Sequence, residues 1–218
     1  IAGYVTYFCM PMDTITSSTV YTLPIMEHFA TLQGEGFHAG KPAYFIRTGG
    51  CDVGCHWCDV KESWPGDGHV TMNVNDIQEE VQPHDMDIVV VTGGEPTMYD
   101  LEPLTAGLQS IGKRTHIETS GVYPLTGTWD WITFSPKKFK APIEAIYKKA
   151  HELKVVVNHP SDFEFAEVHA AKVDPSCKLY LQPEWSKRER MMPLIVAYIK
   201  QNPQWRMSLQ THKYLNIP

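Results

Sequence analysis

No apolar run in the sequence approaches the ~18 residues that a membrane-spanning helix needs. The first two dozen residues contain no Lys or Arg, so the basic n-region of a secretory signal is missing. A basic excess is also lacking: 19 Lys and Arg stand against 25 Asp and Glu, a net charge of -6 that argues against a nucleic-acid partner. Nor is there the even, spaced cysteine set of a disulfide framework. The five cysteines are Cys9, Cys51, Cys55, Cys58 and Cys177, and three of them crowd into one short segment. Together these absences exclude a membrane role and point to metal or redox chemistry in a reducing compartment, the cytoplasm.

The 218 residues suit one domain with one sizeable core, and 43% apolar content is ordinary for a globular chain. Residues 1–22 read as an N-terminal extension, disordered or of cloning origin, and 23–218 as the domain. Within it, short β-type runs occupy 43–47, 87–92, 115–118, 131–135, 153–157, 178–182 and 206–210. Helical stretches lie between them: 74–81 after Asn73, 102–109 before Gly112, 162–172 after Ser161 as N-cap, and 189–201 before Pro203. The alternation predicts an α/β fold with mostly parallel strands. Polar residues recur where the strands end: Thr92, Glu118, Ser135, Gln182 and His212. Carboxyl ends of parallel strands are where catalytic groups collect, so these residues predict one shared site.

Cys51, Cys55 and Cys58 have the spacing C-x3-C-x2-C, with Trp57 before the third. Thiolates suit iron–sulfur clusters or zinc, but three ligands are one short of a structural zinc site. His56, Cys9 or Cys177 could complete a zinc loop, though His56 is poorly placed to turn back and the other two would close long loops. The alternative is a [4Fe–4S] cluster with one open iron, able to chelate S-adenosylmethionine (SAM). The triple spacing is similar to the signature of the radical SAM superfamily.

Gly93-Gly94-Glu95-Pro96 follows the Ile/Val strand. Two glycines allow a close backbone approach, and Glu95 could accept a bond from the SAM ammonium. Ser135-Pro136-Lys137 also follows a strand and offers a hydroxyl and an ammonium, or else a solvated basic loop. Gln33-Gly34-Glu35-Gly36 is a glycine-rich turn without the Gly-Lys-Ser/Thr of a P-loop. Arg47 suits a carboxylate or a purine-like face, or is a surface charge. On composition alone, the tail from Gln210 to Pro218 reads as bland.

Taken together these segments, with 31–36, 117–119, 152–155, 181–183 and the tail, resemble the 7-carboxy-7-deazaguanine synthase family across residues 23–218. The resemblance implies an incomplete (βα) barrel. It implies conversion of 6-carboxy-5,6,7,8-tetrahydropterin to 7-carboxy-7-deazaguanine: the adenosyl radical takes a hydrogen, the ring contracts, ammonia leaves and SAM is regenerated. Cys51, Cys55 and Cys58 would carry the cluster. Trp57, Cys58, Asp59, Gly94, Glu95, Ser135, Pro136, Lys137 and Gln182 would meet SAM. Leu32, Gln33, Gly34, Glu35, Arg47, Thr92, Glu118, His212 and the Pro218 carboxylate would meet the pterin. A homodimer and a flavodoxin or ferredoxin as reductant are implied as well. Family members bind Mg2+ through a Thr that is Val60 here, and Val60 offers no oxygen to a hard cation. The competing readings are a glycyl-radical activase, which does not account for the 33–36 turn or the tail, and a non-enzymatic zinc or iron–sulfur module.

Overall fold

Strand β4 (Ile88–Gly93) holds the run Ile-Val-Val-Val with every one of these side chains buried. Such a strand must be covered on both faces, as in a parallel sheet wrapped by helices. The computed structural model describes residues 21–218, so the expected extension lies almost wholly outside the described residues, as does Cys9. Among the described residues the strands form one nine-stranded sheet, in the order β3-β1-β2-β4-β5-β6-β7-β8-β9. β2 (Pro42–Thr48), β4, β5 (Arg114–Thr119), β6 (Trp131–Phe134), β7 (Glu152–Val157), β8 (Lys178–Pro183) and β9 (Trp205–Met207) run parallel. β1 (Thr22–Leu32) is antiparallel to β2 and to β3 (Val70–Asn73). β3 and β9 end the sheet unpaired with each other, so the expected barrel is incomplete.

Side chains alternate across each strand, and the two faces have separate tasks. Outward, Tyr44, Ile46, Val89, Val91, Ile117, Leu153, Val155 and Leu181 pack with helix residues Ile77, Leu104, Leu108, Ala166 and Ile195 in one cluster. Each such aliphatic side chain, fully buried, contributes about 1.5–3 kcal/mol. Inward, Ala43, Phe45, Ile88 and Val90 form a smaller cluster, above which the inward positions turn polar.

Helix α1 (Val74–Val81) starts where expected, with the Asn73 carboxamide oxygen accepting from Asn75 N at 3.0 Å. α2 (Glu102–Ser110) stops before Gly112, whose φ is +77°. α3 (Asp162–Ala170) is shorter than expected, and Ser161 makes no cap bond. Its carboxylate neighbour Asp162 instead accepts from Asn158 N (2.7 Å) and His159 N (2.8 Å). α4 (Arg188–Gln201) covers β8 and β9, and α5 (Thr211–Leu215) closes the chain. β9 stops at Met207, short of the expected 210, because the chain leaves the sheet there. Ser208 Oγ then donates to Gln182 Oε1 at 2.7 Å, and the segment enters the mouth of the barrel. β1 escaped the sequence reading because Pro24 and a register shift between Ile25 and Glu27 break its two-residue period.

Candidate active site

At the carboxyl ends of the parallel strands lies a cavity of about 330 Å³, within the range of small-molecule sites. Of the residues expected at the site, only Pro136 fails to line it. Pro136 is buried in the turn that folds Lys137 back, so that Lys137 Nζ donates to Ser135 Oγ (2.6 Å) and Ser135 O (2.9 Å).

One wall is the cysteine loop. Cys51, Cys55 and Cys58 are free thiols bordering the cavity, packed with Val53, Val122 and Trp57. Burial pushes the Cys55 thiol up to about 11 against the pull of Lys137, and Cys58 and Cys51 add to the push. Cys51 is likewise raised, chiefly by burial. Among the described residues no group of three or more His, Cys, Asp or Glu side chains forms a ready metal cage. The three thiols nonetheless share one cavity, sense one another electrostatically and have no disulfide partner, so they fit a cluster that brings its own iron and sulfide. Of the candidate fourth ligands among the described residues, His56 is exposed and packs edge-on against Phe139 at 5.2 Å. Cys177 sits at the opposite end of the strands, its thiol pushed up to about 12, mainly by burial.

The glycine turn braces this loop. A Cβ on Gly94 would lie 2.1 Å from Gly50 O and 2.8 Å from Cys51 Cβ, so only glycine permits the approach. Glu95 borders the cavity with a carboxylate held by neighbouring amides and hydroxyls. Its Oε1 accepts from Thr97 N (3.2 Å), Thr97 Oγ1 (2.6 Å) and Thr119 Oγ1, and its Oε2 from Ser120 N (2.8 Å) and Ser120 Oγ. These bonds orient the carboxylate, and Glu95 ties the end of β4 to the end of β5 from inside.

The opposite wall gathers the 33–36 turn, β1, β2, β5 and the tail. Gln33 Nε2 donates to Glu118 Oε1 at 3.0 Å, and Glu35 N donates to Gln33 Oε1 at 3.0 Å. Gly34 O accepts from Thr211 N and Thr211 Oγ1, each at 2.9 Å, which seats α5 on the turn. Phe29 and Phe45 stack in parallel at 5.8 Å, and Arg47 above them pairs with Glu27 at 2.6 Å. Asn216, in the left-handed region at φ 54°, turns the last residues back, and Thr31 Oγ1 donates to Pro218 O at 3.1 Å. Burial draws His212 below its usual range, and Glu35 opposes this. Val60 borders the cavity without a side-chain oxygen, and the nearby Ser63 hydroxyl is spent on Val60 O at 2.7 Å.

Two charged participants, Lys213 and Lys154, were not expected from sequence, and Gln210, at the end of the last expected strand run, joins them. Gln210 Nε2 bridges Glu35 Oε1 (2.9 Å) and Asp59 Oδ2 (3.2 Å), and Lys213 pairs with Asp59. This joins the tail to the residue after Cys58. Burial raises the Asp59 carboxyl, but the Lys213 ammonium outweighs it and leaves the group below its usual range. Lys154, inward on β7, pairs with Glu35 and stands 3.6 Å from Glu118. Its signal was a cation inside the otherwise apolar stretch Leu-Lys-Val-Val-Val of the strand.

The radical SAM superfamily model matches residues 45–158. The chain is 57% identical to the 7-carboxy-7-deazaguanine synthase of Flavobacterium psychrophilum, over 90% of this chain and 93% of that protein. It is 50% identical to the synthase of that name from Synechocystis sp., over 95% and 100%. Among solved structures, QueE from Escherichia coli superposes with a TM-score of 0.76 at 34% identity, covering 86% of this chain and 93% of that one.

Proposed function

Because the chain belongs to the 7-carboxy-7-deazaguanine synthase family of the radical SAM superfamily, we propose which of its side chains serve each part of the reaction. The enzyme is a radical SAM lyase that contracts 6-carboxy-5,6,7,8-tetrahydropterin to 7-carboxy-7-deazaguanine with loss of ammonia. When bound, a [4Fe–4S] cluster and SAM supply the 5′-deoxyadenosyl radical that starts this chemistry.

Cys51, Cys55 and Cys58 hold the cluster. Trp57, Asp59, Gly94, Ser135, Lys137 and Gln182 orient SAM beside it. Lys137 and Ser135 already form one hydrogen-bonded unit facing the thiols, able to meet a ribose hydroxyl or a carboxylate. Leu32, Gln33, Gly34, Glu35, Arg47, Thr92, Glu118, His212 and Pro218 make the pterin wall. Phe29 and Phe45 give it an apolar face, Gln33 and Glu118 present oxygens to ring N–H groups, and Arg47 suits the substrate carboxylate. A magnesium ion would take its oxygens from substrate and water, since Val60 has none. We propose further that a flavodoxin or ferredoxin delivers the electron, and that the enzyme works as a cytoplasmic homodimer.

The observation that carries this reading is the convergence of the three thiols and the Gln33–Glu118 wall on one cavity. Anaerobic reconstitution tests it. The protein should take up about four irons per chain. SAM should then change the reduced cluster's EPR signal, and the carboxytetrahydropterin should yield the deazaguanine chromophore. Colourless, zinc-loaded protein indifferent to SAM would overturn the assignment.

A further inference from the structure

Lys154 is an ammonium in a strand where apolar residues would pack better. Its neighbours Leu153 and Val155 face the helix layer, and Lys154 itself, 4% exposed, points into the barrel. Burying an ammonium is costly even when it is paired, and replacing such a pair by apolar residues is often neutral or stabilising. The charge therefore calls for a reason beyond holding the fold. Its partners supply one. Glu35, Glu118 and Lys154 all border the cavity.

Building on the pterin assignment above, we infer that Lys154 is a positioning residue, whose ammonium fixes the carboxylates of Glu35 and Glu118 as the wall that receives the N–H edge of the substrate. The surrounding bonds orient each carboxylate and still leave it lone pairs for a substrate N–H. Gln33 Nε2 holds Glu118 Oε1 at 3.0 Å, Gln210 Nε2 holds Glu35 Oε1 at 2.9 Å, and Lys154 takes the other oxygen of each. Glu152, two residues earlier on the same inward face, also attracts Lys154 electrostatically but makes its bonds elsewhere. Its Oε2 accepts from Phe37 N (3.0 Å) and Trp131 Nε1 (3.2 Å), below the cavity. Burial pushes Glu152 up to about 7, so near neutrality it carries less than a full charge. Burial also pushes Glu35 up, but the Lys154 charge and bonds from Lys154 and Gln210 bring it below its usual range. The other titratable groups acting on this cluster are His212 from α5 and Lys137 from the turn after β6.

The test uses cluster-loaded protein with SAM, the cluster kept oxidised so that no turnover occurs. Calorimetry then measures pterin affinity from pH 6 to 9 for wild type, Lys154→Met, Lys154→Gln and Lys154→Arg. We expect Met and Gln to weaken pterin binding about 10- to 100-fold near pH 7, the value of one charge-assisted contact. The loss should shrink as pH rises, because Glu35 without its cation takes up a proton more readily. Arg should restore part of the affinity, and steady-state assays should show KM rising more than kcat falls. Wild-type affinity in both neutral variants overturns the inference. So does a loss equal at every pH and unrelieved by Arg, which would mark Lys154 as structural only. Should Met fail to fold, Gln carries the same comparison. A wild-type enzyme that neither binds nor converts the pterin overturns the function itself, and this inference with it.

Discussion

Gly34 has no side chain because His212 occupies the space: a Cβ there would come within 2.1 Å of His212 Nδ1. A residue of the substrate turn thus sets the position of one on the last helix, 211–215, although the two are far apart in sequence.

Gly34→Ala should displace His212 while leaving the core intact. A misplacement of ~1 Å at a reacting site can cost ~100-fold in rate. We expect kcat/KM for the pterin to fall about 10- to 100-fold, with a melting temperature near wild type. In a His212→Ala background the same change should cost less, since the ring atoms at 2.1 and 2.8 Å have gone and only the tight approach to the Cβ of residue 212, at 3.0 Å, remains. Additive losses in the double variant would show that Gly34 acts through something else.

Cys55→Ala removes the most buried of the three candidate cluster thiols. Iron per chain should drop from about four toward zero, with the brown colour and all pterin turnover. Turnover at the wild-type rate would refute the ligand assignment.

Deleting residues 216–218 takes away Asn216 and the Pro218 oxygen that Thr31 holds. The pterin KM should rise about tenfold, in line with one lost charged or strong hydrogen bond. Reductive SAM cleavage measured without pterin should change much less. Equal loss of both activities would mean that the tail only supports the fold.

Glu152→Gln tests a buried carboxyl whose proton is held up to about 7 in the fold, against 4.5 ordinarily. Between those values the folded state binds more protons than the unfolded one. Wild type therefore loses stability as pH rises from 4.5 toward 7, by up to ~3 kcal/mol. The Gln variant keeps an oxygen for Phe37 N and Trp131 Nε1 but does not titrate. His38 and His116, lowered to about 4 and about 3 mainly by burial, shift stability the opposite way in both proteins. The variant's melting temperature should therefore gain on wild type between pH 5 and pH 8. A constant difference would show that Glu152 titrates normally.

The parts of this molecule readable from sequence are those whose signal is local. The Ile-Val run of β4, the Asn73 cap and the cysteine spacing each sit within a few residues, and the structure places them accordingly. The antiparallel strand 22–32 was hidden by a proline and a bulge. Glu95 reads alone as a free acid, yet Thr119 at the end of the next strand and Ser120 just after it donate to it. The Asp59–Lys213 pair spans 154 positions, beyond any local pattern. Lys154 could be seen as an exception to its strand, but its two partners come from different elements.

The strand 152–157 divides its labour position by position. Leu153, Val155 and Val157 belong to the helix-facing core, whereas Lys154 and Val156 border the reaction chamber. A saturation scan along it should therefore oscillate with a period of two, one register of sites altering how much enzyme survives and the other what the surviving enzyme can do. Selection on abundance and selection on catalysis would then act on interleaved letters of the same short word, leaving each free to drift without dragging the other.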